Sequence, residues 1–156
     1  MKVAKNFSLK EMTASQTAER RGIDNSPNSE QLLSLAVLAN RILQPCRDKF
    51  GVVTITSCLR VPELNKAIGG SETSSHCKGE ACDFEIFSSD NLVVAQWIAG
   101  NLEFDQLILE FYKKGDPHSG WIHCSYRRNG DNRNQILTAL KGDDGKVSYQ
   151  EGLADG

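Results

Sequence analysis

Apolar positions recur at helical spacing over one long stretch of the chain and at strand spacing over several shorter ones. Leu32, Leu33, Leu35, Ala36, Leu38, Ala39, Ile42 and Leu43 return at intervals of three and four. They predict a helix with a broad apolar face, capped by Asn28 or Ser29, kinked or ended at Pro45 and closed off by Gly51. Ser8-Leu-Lys-Glu11 has the form of a capping box and predicts a helix reaching about Arg20, before a turn-rich break over 22–27. Pro62 opens a brief helix over 63–68 that stops at Gly69-Gly70. Asp90 caps another that runs to about Asn101, with Val93, Val94, Trp97 and Ile98 inward.

Strand patterns fall at 52–56, 81–87, 104–112, 121–126 and, more weakly, 135–140. Alternation over 104–112 sets Leu107, Leu109 and Phe111 on one face and Gln106, Ile108 and Glu110 on the other. Over 121–126 it sets Ile122 and Cys124 against Trp121, His123 and Ser125. Residues from 141 onward are polar and rich in Gly and Asp, which predicts a loose tail over 141–156 behind a single domain over 1–140.

Composition narrows the classes. The chain has 156 residues, 39% hydrophobic and 24% charged, with a net charge of −2, so no global basic field advertises nucleic acid or a membrane surface. Arg127, Arg128 and Arg133 beside Tyr126 form one small basic cluster, expected to face anionic material or solvent. No apolar run is long enough to span a bilayer, and Met1 to Ser8 lacks the apolar core of a secretory signal. Synthesis in a reducing cytoplasm is the expectation, with delivery to any outside substrate left to something other than a signal peptide. The five cysteines are an odd number, and Cys77, Cys82 and Cys124 adjoin His76, Asp83 and His123. They read as small buried apolar residues, since their spacing lacks the paired Cys-x-x-Cys of a zinc ribbon.

There are three histidines. His76 and Asp83 lie seven apart, with Gly79 between them, and a turn at Gly79 lets both side chains converge. His118 and His123 flank a Gly120-Trp121 turn. One imidazole and one carboxylate from the first segment, with an imidazole from the second, make a three-ligand zinc site that leaves a place for water. The competing reading leaves His76 and His118 as surface loop residues and His123 as a satisfied strand histidine.

These segments resemble the zinc D-alanyl-D-alanine carboxypeptidase family, whose fold is shared with lysostaphin-type peptidases and the Hedgehog signalling domain. The family motif Ser-x-His-x6-Asp matches Ser74 to Asp83, and its Trp-x-His block matches Trp121-Ile-His123. The likeness extends through Phe7-Ser-Leu, residues 15–24, Arg60-x-Pro-Glu-Leu-Asn65, residues 104–110 and Asn132-Arg, and looks most like the short bacteriophage forms, endolysins or virion-associated wall enzymes. It implies an α+β domain: a central, mostly antiparallel sheet of about four to five strands with helices packed on one side. It also implies one zinc ion held by His76, Asp83 and His123, and a peptidoglycan stem peptide as substrate.

The further roles it implies are these. Arg60 binds a substrate carboxylate, with Ser75 and Trp121 beside the substrate, and His118 stabilises the transition state or moves protons. A variant of this reading makes His118 a zinc ligand and moves Asp83 behind it. The chain departs from dipeptidase and endopeptidase relatives at Gly120, where they carry a carboxylate as general base, and Glu110 is the substitute candidate. Ser57-Cys-Leu-Arg60 also replaces the usual Ser-Gly-Tyr-Arg. Two bonds fit an arginine anchor: the terminal D-Ala-D-Ala bond and the L-Ala-D-Glu bond. The expected protein is a monomer without nucleic-acid partner or membrane insertion, acting on the cell wall after release by a separate lysis system or on a virion. The alternative is a non-catalytic zinc module of the same fold that serves as a binding surface.

Overall fold

A computed structural model describes residues 1–154. β1 (Lys2–Ala4) and β2 (Phe7–Ser8) form a small antiparallel pair. Ser8 then caps α1 (Leu9–Thr13): its Oγ accepts the Glu11 N–H, and Glu11 Oε1 accepts the Ser8 N–H. The single helix expected to reach Arg20 is in fact two. Ala14 is extended, and Ser15 recaps the chain by accepting the Ala18 N–H, which starts α2 (Gln16–Arg21).

α3 (Ser29–Leu38) begins at an Asn28 cap and passes through a π-helical turn, Ala39–Leu43, into α4 (Gln44–Phe50). Pro45 therefore does not end the run. It lacks an N–H and crowds the carbonyl one turn back, and the wider π turn accommodates both defects. The chain continues through β3 (Thr54–Ser57), α5 (Pro62–Ala67), a 3-10 turn at Ser75–Lys78, β4 (Ala81–Glu85), α6 (Asn91–Asn101), β5 (Gln106–Glu110), β6 (Trp121–Ser125), β7 (Gln135–Lys141) and β8 (Val147–Glu151).

The main sheet has six strands in the order β3-β4-β6-β5-β7-β8. It is larger than the expected four to five strands, and it is mixed: β5 and β7 run parallel, while the other neighbours are antiparallel. The chain leaving β6 returns to the far edge of β5, so β7 must point the same way as β5. The tail expected to be loose supplies β8. Its five residues are all exposed, and it is held to β7 through the ladder from Leu137↔Glu151 to Lys141↔Val147. Gly145, with φ +79°, and Asp144, whose Oδ1 accepts the Lys146 N–H, shape the turn between them.

Cys82 and Phe84 of β4, Leu107 and Leu109 of β5, and Ile122 and Cys124 of β6 share one buried core with Leu35, Leu38, Ile42, Leu43, Val94 and Ile98 from the helices. Each large side chain so buried contributes on the order of 1.5–3 kcal/mol. All five cysteines are free, and Cys46, Cys58, Cys82 and Cys124 are buried. Burial pushes the Cys46 thiol up to about 12, and it also holds Cys82 and Cys124 well above the ordinary thiol value, which leaves them packed and unreactive.

The basic cluster does not simply face solvent. Asp105, 2% exposed at the entry to β5, accepts the Arg133 N–H and Nε at Oδ1 and Nη2 at Oδ2, at 3.2, 3.0 and 3.0 Å. Arg127 Nε lies 3.2 Å from the same Oδ1, while Arg128 pairs with Glu30 and Ser34. Burial works against the Asp105 carboxylate, yet the Arg133 hydrogen bonds and the charges of both arginines leave its pKa below the ordinary value. A folded-state pKa below the unfolded one gives stability that is complete above the unfolded carboxylate range and disappears as pH falls through the folded value. Asp105→Asn should therefore cost about 1–3 kcal/mol at pH 7, reduced from the fully buried case because both arginines are partly exposed. Urea denaturation of both proteins should show the gap narrowing below about pH 4.

Candidate metal centre and active site

The register between β4 and β6 builds the site. Asp83 and His123 are direct cross-strand partners, flanked by the pairs Cys82↔Cys124 and Phe84↔Ile122, whose side chains go to the core. Alternation therefore sends Asp83 and His123 together to the opposite face. His76 reaches them from the 3-10 turn, where Ser74 Oγ accepts the His76 N–H at 3.2 Å. Gly79 ends this turn at φ +72°, and a Cβ there would lie 2.8 Å from the Gln31 carbonyl oxygen of α3. Only glycine satisfies both the left-handed backbone and the close helix, and the chain can then enter β4 beside the histidine.

His76 is 3% exposed and Asp83 is 8% exposed. His76 Nδ1 lies 2.6 Å from the Cys58 carbonyl, so it donates there and leaves Nε2 as a bare lone pair, 3.4 Å from Asp83 Oδ1. His123 Nδ1 is 2.9 Å from the same Oδ1. On the other side, Asp83 Oδ2 accepts Arg60 Nη2 at 3.1 Å, and Arg60 Nε donates to Ser57 Oγ at 2.9 Å. Burial would raise the Asp83 pKa, but the hydrogen bond from His123 and the positive charge of either imidazole when protonated bring it well below the usual carboxylate range.

One ligand atom from each of His76, Asp83 and His123 lies within 4.8 Å of the others, and among the described residues no other group of His, Cys, Asp and Glu is so placed. Two imidazole nitrogens and a carboxylate oxygen are the donor set zinc prefers. The carbonyl behind His76 and the guanidinium behind Asp83 are the outer partners that fix such ligands in orientation. The residues present fit the ion.

Glu110 and Trp121 are cross-strand partners on the same face as His123. Burial raises the Glu110 pKa and the nearby Asp83 charge adds to this, while His123 opposes it. The Trp121 ring packs edge-on against Phe111 at 5.4 Å, and Phe111 has φ +57°, a strained value for an aromatic residue. Ser75 sits in the 3-10 turn, where its carbonyl accepts the Gly79 and Glu80 N–H groups. His118 stands apart from the three-residue cluster. It is exposed on the loop over 111–120, with its ring 5.9 Å from that of Phe87. That loop is pinned by Ser119 Oγ, which accepts the Lys113 N–H at 2.7 Å, and by Asn91, whose N–H donates to the Pro117 carbonyl at 2.9 Å.

Residues that sequence reasoning missed are the ones that hold others in place. The Cys58 carbonyl and the Ser57 hydroxyl orient His76 and Arg60, and the only sequence signal was the altered Ser57-Cys-Leu-Arg60 segment. Tyr149 of β8 also went unremarked. It shares a cross-strand row with Ala139, Glu110 and Trp121.

The profile of the family described as Peptidase M15 matches residues 5–125. The chain belongs to the Peptidase M15 family. These are zinc peptidases of the D-Ala-D-Ala carboxypeptidase-like kind, and the three converging side chains all fall inside the matched segment. No curated protein matches the chain. Among the described residues no helix is long and apolar enough to cross a membrane.

The geometry also explains the missing carboxylate at position 120. Gly120 has φ +65°, and a Cβ on it would lie 1.8 Å from the Glu110 carbonyl oxygen, so no side chain fits. Gly120→Ala should lose about 2–5 kcal/mol from combined backbone strain and overlap, and Gly120→Glu at least as much, with no gain in peptidase activity. Chemical denaturation read by circular dichroism, alongside an activity assay, checks both.

Proposed function

We propose that this zinc peptidase hydrolyses an amide bond in peptidoglycan stem peptides, as a wall-lytic enzyme of the kind bacteriophages deploy. The convergence of His76, Asp83 and His123 beside Arg60, within the family match, carries this reading. One zinc ion held by those three side chains would supply Lewis acidity and a water made nucleophilic at neutral pH.

The chain's own residues do the rest. Arg60 lines a cavity of about 450 Å³ together with Ser15, Thr17, Thr56 and Ser57. Its bonds to Asp83 and Ser57 leave further donors of the guanidinium fork for a substrate carboxylate entering there. Glu110 is the general base. Its raised pKa moves it toward the working pH, where a base is most effective. His118, on the loop that joins β5 to β6, is the second proton carrier, and it supports the oxyanion as the amide carbon becomes tetrahedral. Ser75 and Trp121 wall the substrate on either side of the metal ligands. A terminal D-Ala carboxylate and the free α-carboxylate of γ-linked D-Glu both suit Arg60.

Incubation of the zinc-loaded protein with defined stem peptides, read by mass spectrometry, should show either release of one D-alanine or separation of L-alanine from the rest. Bound zinc with neither product would overturn the hydrolase reading in favour of a binding surface. Glu110→Gln should lower kcat by roughly 10²–10⁴-fold while zinc content stays the same. A base works only when deprotonated, so activity should fall as pH drops through the Glu110 pKa. Because that pKa is raised, the acidic limb should lie above the ordinary glutamate value of about 4.3, and it should be absent from the residual activity of Glu110→Gln.

A further inference from the structure

The open face of the sheet carries a second groove, on the side of the metal ligands away from Arg60. It measures about 640 Å³ and is lined by Phe111, Lys113 and Trp121 together with Lys141, Val147 and the turn glycines of the β7–β8 hairpin. Its lining contains two lysines and no acidic residue. Neither ammonium group takes part in an ion pair among the described residues. The acids nearest in sequence are Glu110, Asp116, Asp143 and Asp144. Glu110 is the cross-strand partner of Trp121 but does not line the groove, and Asp144 directs its carboxylate at the Lys146 N–H of its own turn. The floor is the strained Phe111 ring set edge-on against Trp121, and Trp121 lies two residues before His123 on the same face of β6. The groove therefore begins at the side chain next to His123 on that face of β6. Half of it comes from a hairpin beyond residue 125, where the family match ends.

The geometry points to an acyl-side subsite that binds a carboxylate on the substrate peptide, about three residues to the N-terminal side of the bond that is cut. Arg60 stands at the β3 end of the site and takes the carboxylate of the leaving residue. The remaining peptide must then run the other way, over β6 and β5 toward Lys141 on β7. Lys141 lies two strand spacings from β6 and four residues along β7 from Leu137, which shares the His123 row, so the backbones are about 16 Å apart. Three extended residues span about 10 Å, and an outstretched lysine side chain of about 6 Å covers the rest. Trp121 and Phe111 give the peptide a flat apolar surface, while Lys113 and Lys141 pair with its acid. This rests on the peptidase reading above and deepens it. In a stem peptide the acid at that distance from a terminal D-Ala-D-Ala bond is the α-carboxylate of γ-linked D-Glu. Cleavage at L-Ala-D-Glu would leave no acid on that side. The subsite therefore assigns the enzyme to the terminal bond.

The test uses N-acetyl-γ-D-Glu-L-Lys-D-Ala, with the D-Glu α-carboxylate either free or amidated. Neither peptide contains a D-Ala-D-Ala or an L-Ala-D-Glu bond, so calorimetric titration into the zinc-loaded full chain reads binding apart from turnover. Amidation should weaken binding to the wild type by roughly tenfold or more, the worth of a charge-assisted hydrogen bond. The Lys113→Gln/Lys141→Gln variant, with folding verified by thermal melting, should bind both peptides alike and as weakly as the wild type binds the amidated one. An amidation effect that is absent in the wild type, or that survives in the variant, overturns the proposal, as does a lack of binding by either peptide. Hydrolysis of the intact pentapeptide is scored separately. Lysine-dependent binding without any product would sink the peptidase reading and leave the anion subsite standing, whereas product formation with lysine-independent binding would do the reverse.

Discussion

The cross-strand pairing of Asp83 with His123 is the contact on which the functional part of this molecule depends. A shift of one residue in β6 against β4 would turn His123 toward the core, away from Asp83, and bring Ile122 and Cys124 to the open face. Burial prevents that shift. Cys82, Phe84, Ile122 and Cys124, with Leu107 and Leu109 on the next strand, are completely buried on the opposite face, and a slip of any one strand would expose its share of them. The hydrophobic core thus sets the spacing of the polar site on the other face of the sheet. His76 completes the group only because Gly79 lets the chain turn sharply against α3.

Placing two imidazoles and a carboxylate so close leaves a concentrated charge pattern, which the surrounding residues stabilise. Arg60 neutralises one oxygen of Asp83 while the imidazoles face the other, and the Cys58 carbonyl fixes the tautomer of His76. Arg60 is consequently tied both to Asp83 and to the cavity beside it. On the far side the backbone is strained at Phe111, and Gly120 approaches the Glu110 carbonyl too closely for any side chain. Of the two non-glycine residues with positive φ among those described, Phe111 adjoins the site and Asn134 precedes β7, and neither lies in a helix.

Much of this was legible in the chain itself. Alternation over β5 and β6 separated Leu107, Leu109, Ile122 and Cys124 from the site face because that side of each strand is fully buried. Phe111, however, expected beside Leu107 and Leu109, lies past the end of β5 at positive φ and packs on Trp121 instead. The histidine and aspartate spacing across Gly79 pointed to convergence, since a glycine inside an otherwise regular segment signals a turn. What could not be read depends on partners distant in sequence. β8 has five exposed residues and is held by its backbone pairing, so no apolar pattern marks it. Only its Asp144-Gly145 turn was a visible signal. Pro45 looked like a helix end because the π turn that accommodates it has no residue signature. Asp105 gathers Arg127 and Arg133 from more than twenty residues away, which local reading took for a solvated basic patch. The parallel pairing of β7 with β5 follows from the route of the chain and leaves no trace in either strand.

The central claim is that these three side chains hold one divalent cation. Anomalous diffraction at the zinc absorption edge, from crystals of the protein grown with zinc, tests it directly. The account predicts a single strong peak per chain between His76 Nε2, the Asp83 carboxylate and the His123 ring. No peak at that position, or a dominant peak at the buried cysteines instead, would contradict it.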